Sequence, residues 1–190
     1  MKAREEYIDK MPELDPAKLV FLDESGFKPN LTRRYGWAPS GERPMITASR
    51  YGKNVTIIGA IALDGPRAWR AIDSKFDGPA FIDYLDTCLG PTLHPGDVVV
   101  MDGPRLHRVD GVQQALAKWG ATALYLPAYS PELNPIEMCW SWMKAWVRTR
   151  APWVMHRLLA AVHEAWGRLT ADLCVAWIRH SGYLGAGGST

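Results

Sequence analysis

The most constraining feature of the sequence is the stretch over 98–144, in which two short apolar runs alternate with two helix-length segments. The first run, Val98–Met101, is followed directly by Asp102, and the second run spans 123–126. A turn-rich linker of prolines and polar residues then leads into a helix whose first turn carries Glu137. This order of strand, helix, strand and helix predicts an α/β unit with a carboxylate at two of its junctions.

The residues before this stretch predict the strands that complete a sheet. Residues 18–22 form a short apolar run that indicates a buried strand ending on Asp23. Residues 54–63 are β-branched and apolar, and an Asp-Gly turn separates them from 68–72, which predicts a hairpin. A three-stranded antiparallel start followed by β-α-β-α predicts a mixed five-stranded sheet flanked by helices.

Amphipathic spacing predicts helices around this sheet, including extra helices at the C-terminal end. We place these helices at 78–89, 135–150, 153–168 and 170–180. Residues 1–17 are interpreted as a polar lead-in, because two prolines disfavour one continuous helix there. Residues 183–190 are interpreted as a flexible tail, so one α/β domain is expected over 18–182.

The composition excludes several classes of protein. A chain of 190 residues that is 47% hydrophobic can bury a core and is neither disordered nor collagen-like. Its three cysteines lack metal-ligand spacing and indicate reduced, buried thiols. No window reaches the ~18 uncharged apolar residues of a membrane span, and the charged first twenty residues do not match a signal peptide. We therefore expect a cytoplasmic protein without a membrane partner.

The distribution of charge is more informative than the net charge of +2. Residues 28–53 carry six basic groups against one acidic group, whereas residues 54–102 carry three basic groups against seven acidic ones. A basic lobe beside an acidic centre suits a site for cations and a phosphate backbone, although charge runs are often only solvated surface. Arg33 and Arg34 lie among aromatic residues, which fits either a nucleic-acid contact or a surface turn.

Three carboxylates are expected to meet at one edge of the sheet. If the strand ending at Asp102 pairs in parallel with a central first strand, Asp23 and Asp102 emerge at the same edge. Together with Glu137 they would repel one another without cations, and Mg²⁺ is the natural occupant. Two such ions roughly 3.5–4 Å apart can activate a water or hydroxyl and stabilise the leaving oxygen of a phosphoryl transfer. Alternatively, Glu137 closes a capping box with Asn134 as the N-cap.

Basic side chains near these acids are candidate DNA contacts. Lys144 and Arg148 share the helix face of Glu137, which fits either a wall for a phosphodiester or an ordinary charged face. His107 follows Asp102 by five residues and could contact a phosphate or cap a helix.

These motifs resemble the catalytic domain of DDE transposases of the mariner superfamily, in its bacterial insertion-sequence branch. The resemblance covers residues 18–150 and is most specific over 126–137, LPAYSPELNPIE, continued by Trp140 and Lys144. The other matching segments are FLDESGF at 21–27, YGWAPSG at 35–41 and VVMD at 99–102, with thirty-four residues between Asp102 and Glu137.

The resemblance implies a ribonuclease-H-like fold, two Mg²⁺ or Mn²⁺ ions, and Asp23, Asp102 and Glu137 as the residues that hold them. The implied reaction is nicking at the element ends to expose a 3′-hydroxyl, which then attacks target DNA at the dinucleotide TA. The resemblance also implies a homodimer on DNA, in the bacterial cytoplasm and associated with the nucleoid when bound.

The sequence departs from the family pattern in two places. Gly103 stands where Asn is common, and only seventeen residues precede the first predicted strand, where the family has a helix-turn-helix region that reads the inverted repeats. We therefore expect a catalytic portion, arising by frameshift, truncation or deliberate expression, whose helix-turn-helix part is absent or separately encoded. Two other functions stay open: a DNA-binding or assembly module without catalysis, and a nuclease for RNA:DNA hybrids.

Overall fold

The computed structural model folds around one mixed sheet and describes residues 2–29, 39–42, 54–72, 76–103, 111–150, 152 and 154–184. The strands are β1 (Leu19–Phe27), β2 (Val55–Ala62), β3 (Gly65–Ile72), β4 (Val98–Met101) and β5 (Thr122–Tyr125). They lie in the order β3-β2-β1-β4-β5. Strand β2 pairs antiparallel with β1 and β3, whereas β4 pairs in parallel with β1 and β5. The predicted five-stranded sheet with a central first strand is confirmed.

Helices cover both faces of this sheet. They are α1 (Lys2–Lys10), α2 (Gly78–Tyr84), α3 (Val112–Ala117), α4 (Ile136–Arg150), α5 (Met155–Trp166) and α6 (Ala171–His180). Helix α2 continues as a π-helical turn over Leu85–Leu89, and a short 3₁₀ turn at Pro131–Leu133 precedes α4. In the described part of the chain, no helix is both long and apolar enough to cross a membrane.

Two apolar cores lie on opposite faces of the central strand, as alternation along a doubly covered strand requires. Phe21 and Phe27 belong to the core formed with α4, α5 and α6, whereas Val20 and Leu22 belong to the core formed with α2 and α3. Asp23 has the same parity along β1 as Phe21, so its side chain lies on the α4 face of the sheet.

Three predicted boundaries differ from the structure. The polar lead-in contains a helix, α1, which ends before Pro12 because proline is incompatible with the interior of a helix. The predicted flexible tail over 183–190 differs at its first residue, since Tyr183 is buried and donates a hydrogen bond to the Leu133 carbonyl. Strand β1 does not end at Asp23 but continues to Phe27, because β2 supplies partners along that whole length.

Candidate active site

Three acidic side chains from three different elements line one cavity of about 400 Å³. Asp23 lies within β1, Asp102 directly follows β4, and Glu137 is on the first turn of α4. The parallel register pairs Phe21 with Val100, so continuing it by two residues brings Asp23 beside Asp102 on the same face of the sheet. The predicted convergence of the three acids on one side of the sheet therefore matches the geometry of the fold.

Asp23 is held by a buried tryptophan of α4. Its carboxylate is 7% exposed, and Oδ2 accepts a hydrogen bond of 3.1 Å from Nε1 of Trp140, which is itself 1% exposed. Trp140 follows Glu137 by almost one helical turn, so the same helix places one acid and fixes another.

A glycine opposite Asp23 makes room for this contact. Gly59 of β2 is the cross-strand partner of Asp23, and a Cβ at Gly59 would lie 2.9 Å from the rings of both Trp140 and Trp166. Only a residue without a side chain lets the indole of Trp140 lie across β2 and reach Asp23. Gly59 is not among the predicted site residues, although an isolated glycine inside a β-branched run is a known signal of close approach.

The environment of Asp23 disfavours its charged form. Burial first, and then the neighbouring carboxylates of Glu24, Glu137 and Asp102, together raise the pKa of Asp23 to about 8, against a backbone hydrogen bond that lowers it. Without a cation, this carboxyl group therefore holds its proton well above the pH at which an aspartic acid normally ionises.

Glu137 is the most solvent-exposed of the three acids and lies near Lys144. Loss of surrounding water raises the pKa of Glu137, Lys144 opposes this shift, and the Asp102 and Glu24 carboxylates add to it. Lys144 donates a hydrogen bond of 2.7 Å to Oγ of Ser25, and its ammonium lies 5.5 Å from the centre of the Phe27 ring. Burial lowers the pKa of Lys144, whereas Glu137 raises it. The ammonium group is therefore anchored on β1 within the field of the acids.

The loop before α4 excludes the capping-box role of Glu137. The backbone amide of Asn134, which that box would satisfy, donates instead to the Pro131 carbonyl at 2.9 Å. The Asn134 side chain does not cap α4 either, because within the described residues its Oδ1, the atom that would accept from a helix amide, has no partner, while its Nδ2 donates to the Leu22 carbonyl of β1 at 3.5 Å. Asn134 is 4% exposed and lines the cavity. This side chain ties the start of α4 to the strand that carries Asp23.

The other predicted DNA contacts are only partly visible. Arg148 lies on α4 one helical turn beyond Lys144 and is half-buried. Arg33, Arg34 and His107 lie outside the described residues.

The donor set of the cavity fits hard divalent cations. Carboxylate oxygens from rigid elements are the ligands that Mg²⁺ and Mn²⁺ prefer, and the repulsion that raises the pKa of Asp23 is what a bound cation relieves. Within the described ranges, however, no three His, Cys, Asp or Glu side chains are already close enough to form a metal site.

The sequence matches a known family of endonucleases. The family model for DDE superfamily endonucleases matches residues 18–157. A search of curated protein sequences found no match.

Solved structures of the Mos1 mariner transposase share the fold. The Mos1 strand transfer complex has a TM-score of 0.71 and 16% identity over 94% of this chain. The Mos1 catalytic domain has a TM-score of 0.69 and 12% identity over 94% of this chain and 84% of its own. The chain spans only 56% of the transposase in the strand transfer complex.

At such low sequence identity, the structural similarity establishes the ribonuclease-H-like fold alone. The predicted resemblance to DDE transposases is confirmed, while its bacterial branch stays a prediction. Because the family match covers most of the chain and the sheet has the expected order, the chain belongs to the DDE superfamily endonucleases.

Proposed function

We propose that this chain is the catalytic domain of a transposase, which cleaves DNA to leave a 3′-hydroxyl and joins that end to target DNA. The observation that carries the proposal is the meeting of Asp23, Asp102 and Glu137 at one cavity, in a chain of the DDE family. In-line phosphoryl transfer requires ligands on rigid elements, and two strands and a helix start meet that requirement.

Asp23, Asp102 and Glu137 would hold two Mg²⁺ or Mn²⁺ ions. When bound, such ions supply the activation of a water or hydroxyl and the stabilisation of the leaving oxygen. The Mos1 catalytic domain has been solved with Raltegravir and Mn and with Raltegravir and Mg, which supports the choice of metals. The count of two ions is part of the proposal.

Residues of the chain itself orient these ligands. Trp140 holds the Asp23 carboxylate by its indole N–H, and Asn134 ties the first turn of α4, which carries Glu137, to β1. Lys144 offers a positive charge beside the acids, which suits a contact with a DNA phosphate. Residues 126–131 line the same cavity as the three acids.

DNA is the proposed partner, as element ends and as a target that contains TA. One Mos1 structure is a paired-end complex with the left transposon end, which supports binding of DNA ends. Backbone contacts are proposed for Arg33, Arg34, His107, Lys144 and Arg148. We further propose that the protein acts on DNA as a homodimer and works with a separately encoded helix-turn-helix portion. We also propose that it is a bacterial protein, located in the cytoplasm and associated with the nucleoid when bound to DNA.

Nicking of a supercoiled plasmid in Mn²⁺ tests the proposal. We expect wild-type protein to nick the plasmid and Asp102→Asn to lose at least about a hundredfold in nicking activity, because a proposed direct metal ligand is removed and even outer-shell partners are worth about 10–100-fold. The matched control is Asp172→Asn, an exposed carboxylate on α6, which should nick like wild type. Equal nicking by wild type and Asp102→Asn would reject the proposal.

A second candidate is a DNA-binding or assembly module that does not catalyse. It is motivated by Gly103, which lines the cavity where the family resemblance leads us to expect Asn. It predicts salt-sensitive DNA binding without metal-dependent nicking. Nicking that disappears in Asp102→Asn would reject it, and faster cleavage of an RNA:DNA hybrid than of duplex DNA would instead indicate a ribonuclease.

A further inference from the structure

Helix α4 and strand β1 are joined by two side-chain hydrogen bonds whose spacings match. Trp140 donates to Asp23. Lys144, four residues further along α4, donates to Oγ of Ser25, two residues further along β1. Four residues of a helix rise about 6 Å and two residues of a strand about 6.6 Å, so the two bonds lie side by side. Asp23 and Ser25 share one face of β1, and Ser25 therefore receives Lys144 as Asp23 receives Trp140.

The ammonium group of Lys144 is held on β1 by two contacts. Its Nζ lies 2.7 Å from Oγ of Ser25, which is 9% exposed, and 5.5 Å from the centre of the fully buried Phe27 ring. The Phe27 ring is itself fixed, because it packs edge-on against Trp140 with 6.3 Å between the ring centres. A hydroxyl oxygen and an aromatic face both attract a cation, but both are neutral groups.

Neutral partners are an unusual choice for this lysine, because acids lie close to it. Burial lowers the pKa of Lys144, whereas the charges of Glu137 and Asp23 raise it, so both acids act on the ammonium group. Lysine side chains on a helix lean towards its N-terminal end, which is where α4 carries Glu137 and approaches Asp23. In a half-buried site this attraction is little screened by salt. A lysine without its hydroxyl partner would therefore move towards the acids.

We propose that Ser25 is a positioning residue that keeps the Lys144 ammonium out of the acid cluster, so that the three acids of the cavity stay open to divalent cations. The inference rests on the proposed function and adds to it a residue outside the three acids. A lysine paired with one of these carboxylates would neutralise charge and occupy oxygen atoms that a cation needs. On Ser25, the ammonium stays beside the cavity, where a DNA phosphate can take it from a neutral hydroxyl.

Three single variants and one double variant test this role. Ser25→Ala removes the acceptor, and Ser25→Thr keeps a hydroxyl on a residue that suits a strand. Lys144→Met removes the charge and keeps most of the apolar stem. The double variant Ser25→Ala/Lys144→Met shows whether Ser25 acts through the lysine. Each unfolding temperature should fall by no more than about 4 °C, the equivalent of one lost hydrogen bond in a chain of this size.

Binding of Mn²⁺ without DNA, measured by the loss of the free-ion EPR signal, is the test. We expect Ser25→Ala to bind Mn²⁺ roughly 10-fold more weakly than wild type, the lower end of the effect of outer-shell partners. Ser25→Thr should stay within about twofold of wild type. Lys144→Met should bind at least as tightly as wild type, because a nearby positive charge is removed. The double variant should match Lys144→Met within about twofold, because no ammonium group is left for Ser25 to hold.

Two results would overturn the inference. One is equal affinity of wild type and Ser25→Ala for Mn²⁺. The other is a loss that persists when Ser25→Ala is combined with Lys144→Met, because Ser25 would then act without the lysine. If wild type binds Mn²⁺ and nicks plasmid DNA but either result is found, the inference fails and the proposed function stands. If wild type neither binds Mn²⁺ nor nicks, both fail together.

Discussion

The sheet side of the cavity and its helix side are held in place by different kinds of contact. On the sheet side, the pairing of β1 with β2 and β4 positions Asp23 and Asp102. The indole of Trp140, which lies against Gly59, holds the Asp23 carboxylate by a hydrogen bond, and this contact is called the clamp on Asp23 below. On the helix side, Glu137 depends on the 3₁₀ turn Pro131–Leu133, which makes no sheet hydrogen bonds and needs support from elsewhere.

The two ends of the described chain provide that support. The Tyr183 hydroxyl donates a hydrogen bond of 2.8 Å to the Leu133 carbonyl. The Tyr7 hydroxyl of α1 lies 2.9 Å from the Tyr183 hydroxyl oxygen and donates to it, because the Tyr183 proton is already used. Arg4 of α1 forms an ion pair of 2.9 Å with Glu132. The sheet side is therefore specified by neighbouring strands, whereas the helix side depends on contacts across almost the full length of the chain.

The largest expected effect on the sheet side is in the stability of metal-free Asp23→Asn. The folded pKa of about 8 exceeds the ordinary value of 3.8, so the folded state binds the extra proton and wild type loses stability as the pH rises from about 4 to about 8. A shift of this size corresponds to on the order of 5 kcal/mol, so Asp23→Asn should be more stable than wild type near pH 8. Urea unfolding across this pH range measures it. A wild-type slope that survives in Asp23→Asn would contradict the assignment.

Gly59→Ala should disturb the clamp on Asp23. The new Cβ would lie 2.9 Å from the rings of Trp140 and Trp166, so the expected loss is about 1–3 kcal/mol of folding free energy together with slower nicking. Gly26→Ala is the matched control, because its Cβ would meet nothing within 4 Å, and it should be neutral. If both variants behave alike in thermal unfolding, the clamp does not limit the site.

Tyr183→Phe should loosen the helix side and leave the sheet side intact. It leaves the buried Leu133 carbonyl without its donor, for an expected loss of about 1–3 kcal/mol. Hydrogen exchange should rise at the amides of 131–137 and stay unchanged along β1. Tyr7→Phe removes only the outer hydroxyl and should have a smaller effect in the same direction. Faster exchange along β1 in Tyr183→Phe would show that the two sides are not independent.

Arg4→Ala should have the smallest effect on the helix side. Both side chains of the ion pair are about half exposed, so the expected loss is below about 1 kcal/mol and should shrink as salt is added. Thermal unfolding at low and high salt measures it. A loss as large as that of Tyr183→Phe would mean that α1 docks mainly through this pair.

Local patterns were enough to predict most of the elements and the α4 face that packs on the sheet. Burial of the predicted face is confirmed for Ile136, Cys139, Trp140, Met143 and Val147, since helical periodicity is a property of adjacent residues. The positions of Asp102 and Glu137 relative to their elements followed from the same reasoning. The same patterns wrongly predict a helix cap for Asn134 and a flexible tail from residue 183. Both residues bind groups that lie far away in the sequence, which local patterns do not encode.

Local sequence patterns specify which segments become strands and helices and at which ends the acids lie, because hydrophobic period and turn chemistry act over a few residues. Long-range packing, in contrast, brings Trp140 to Asp23 over Gly59, Asn134 to β1, and Tyr183 to the turn before Glu137. These contacts join residues between 50 and 117 positions apart, and no local pattern encodes which distant group a buried donor will meet.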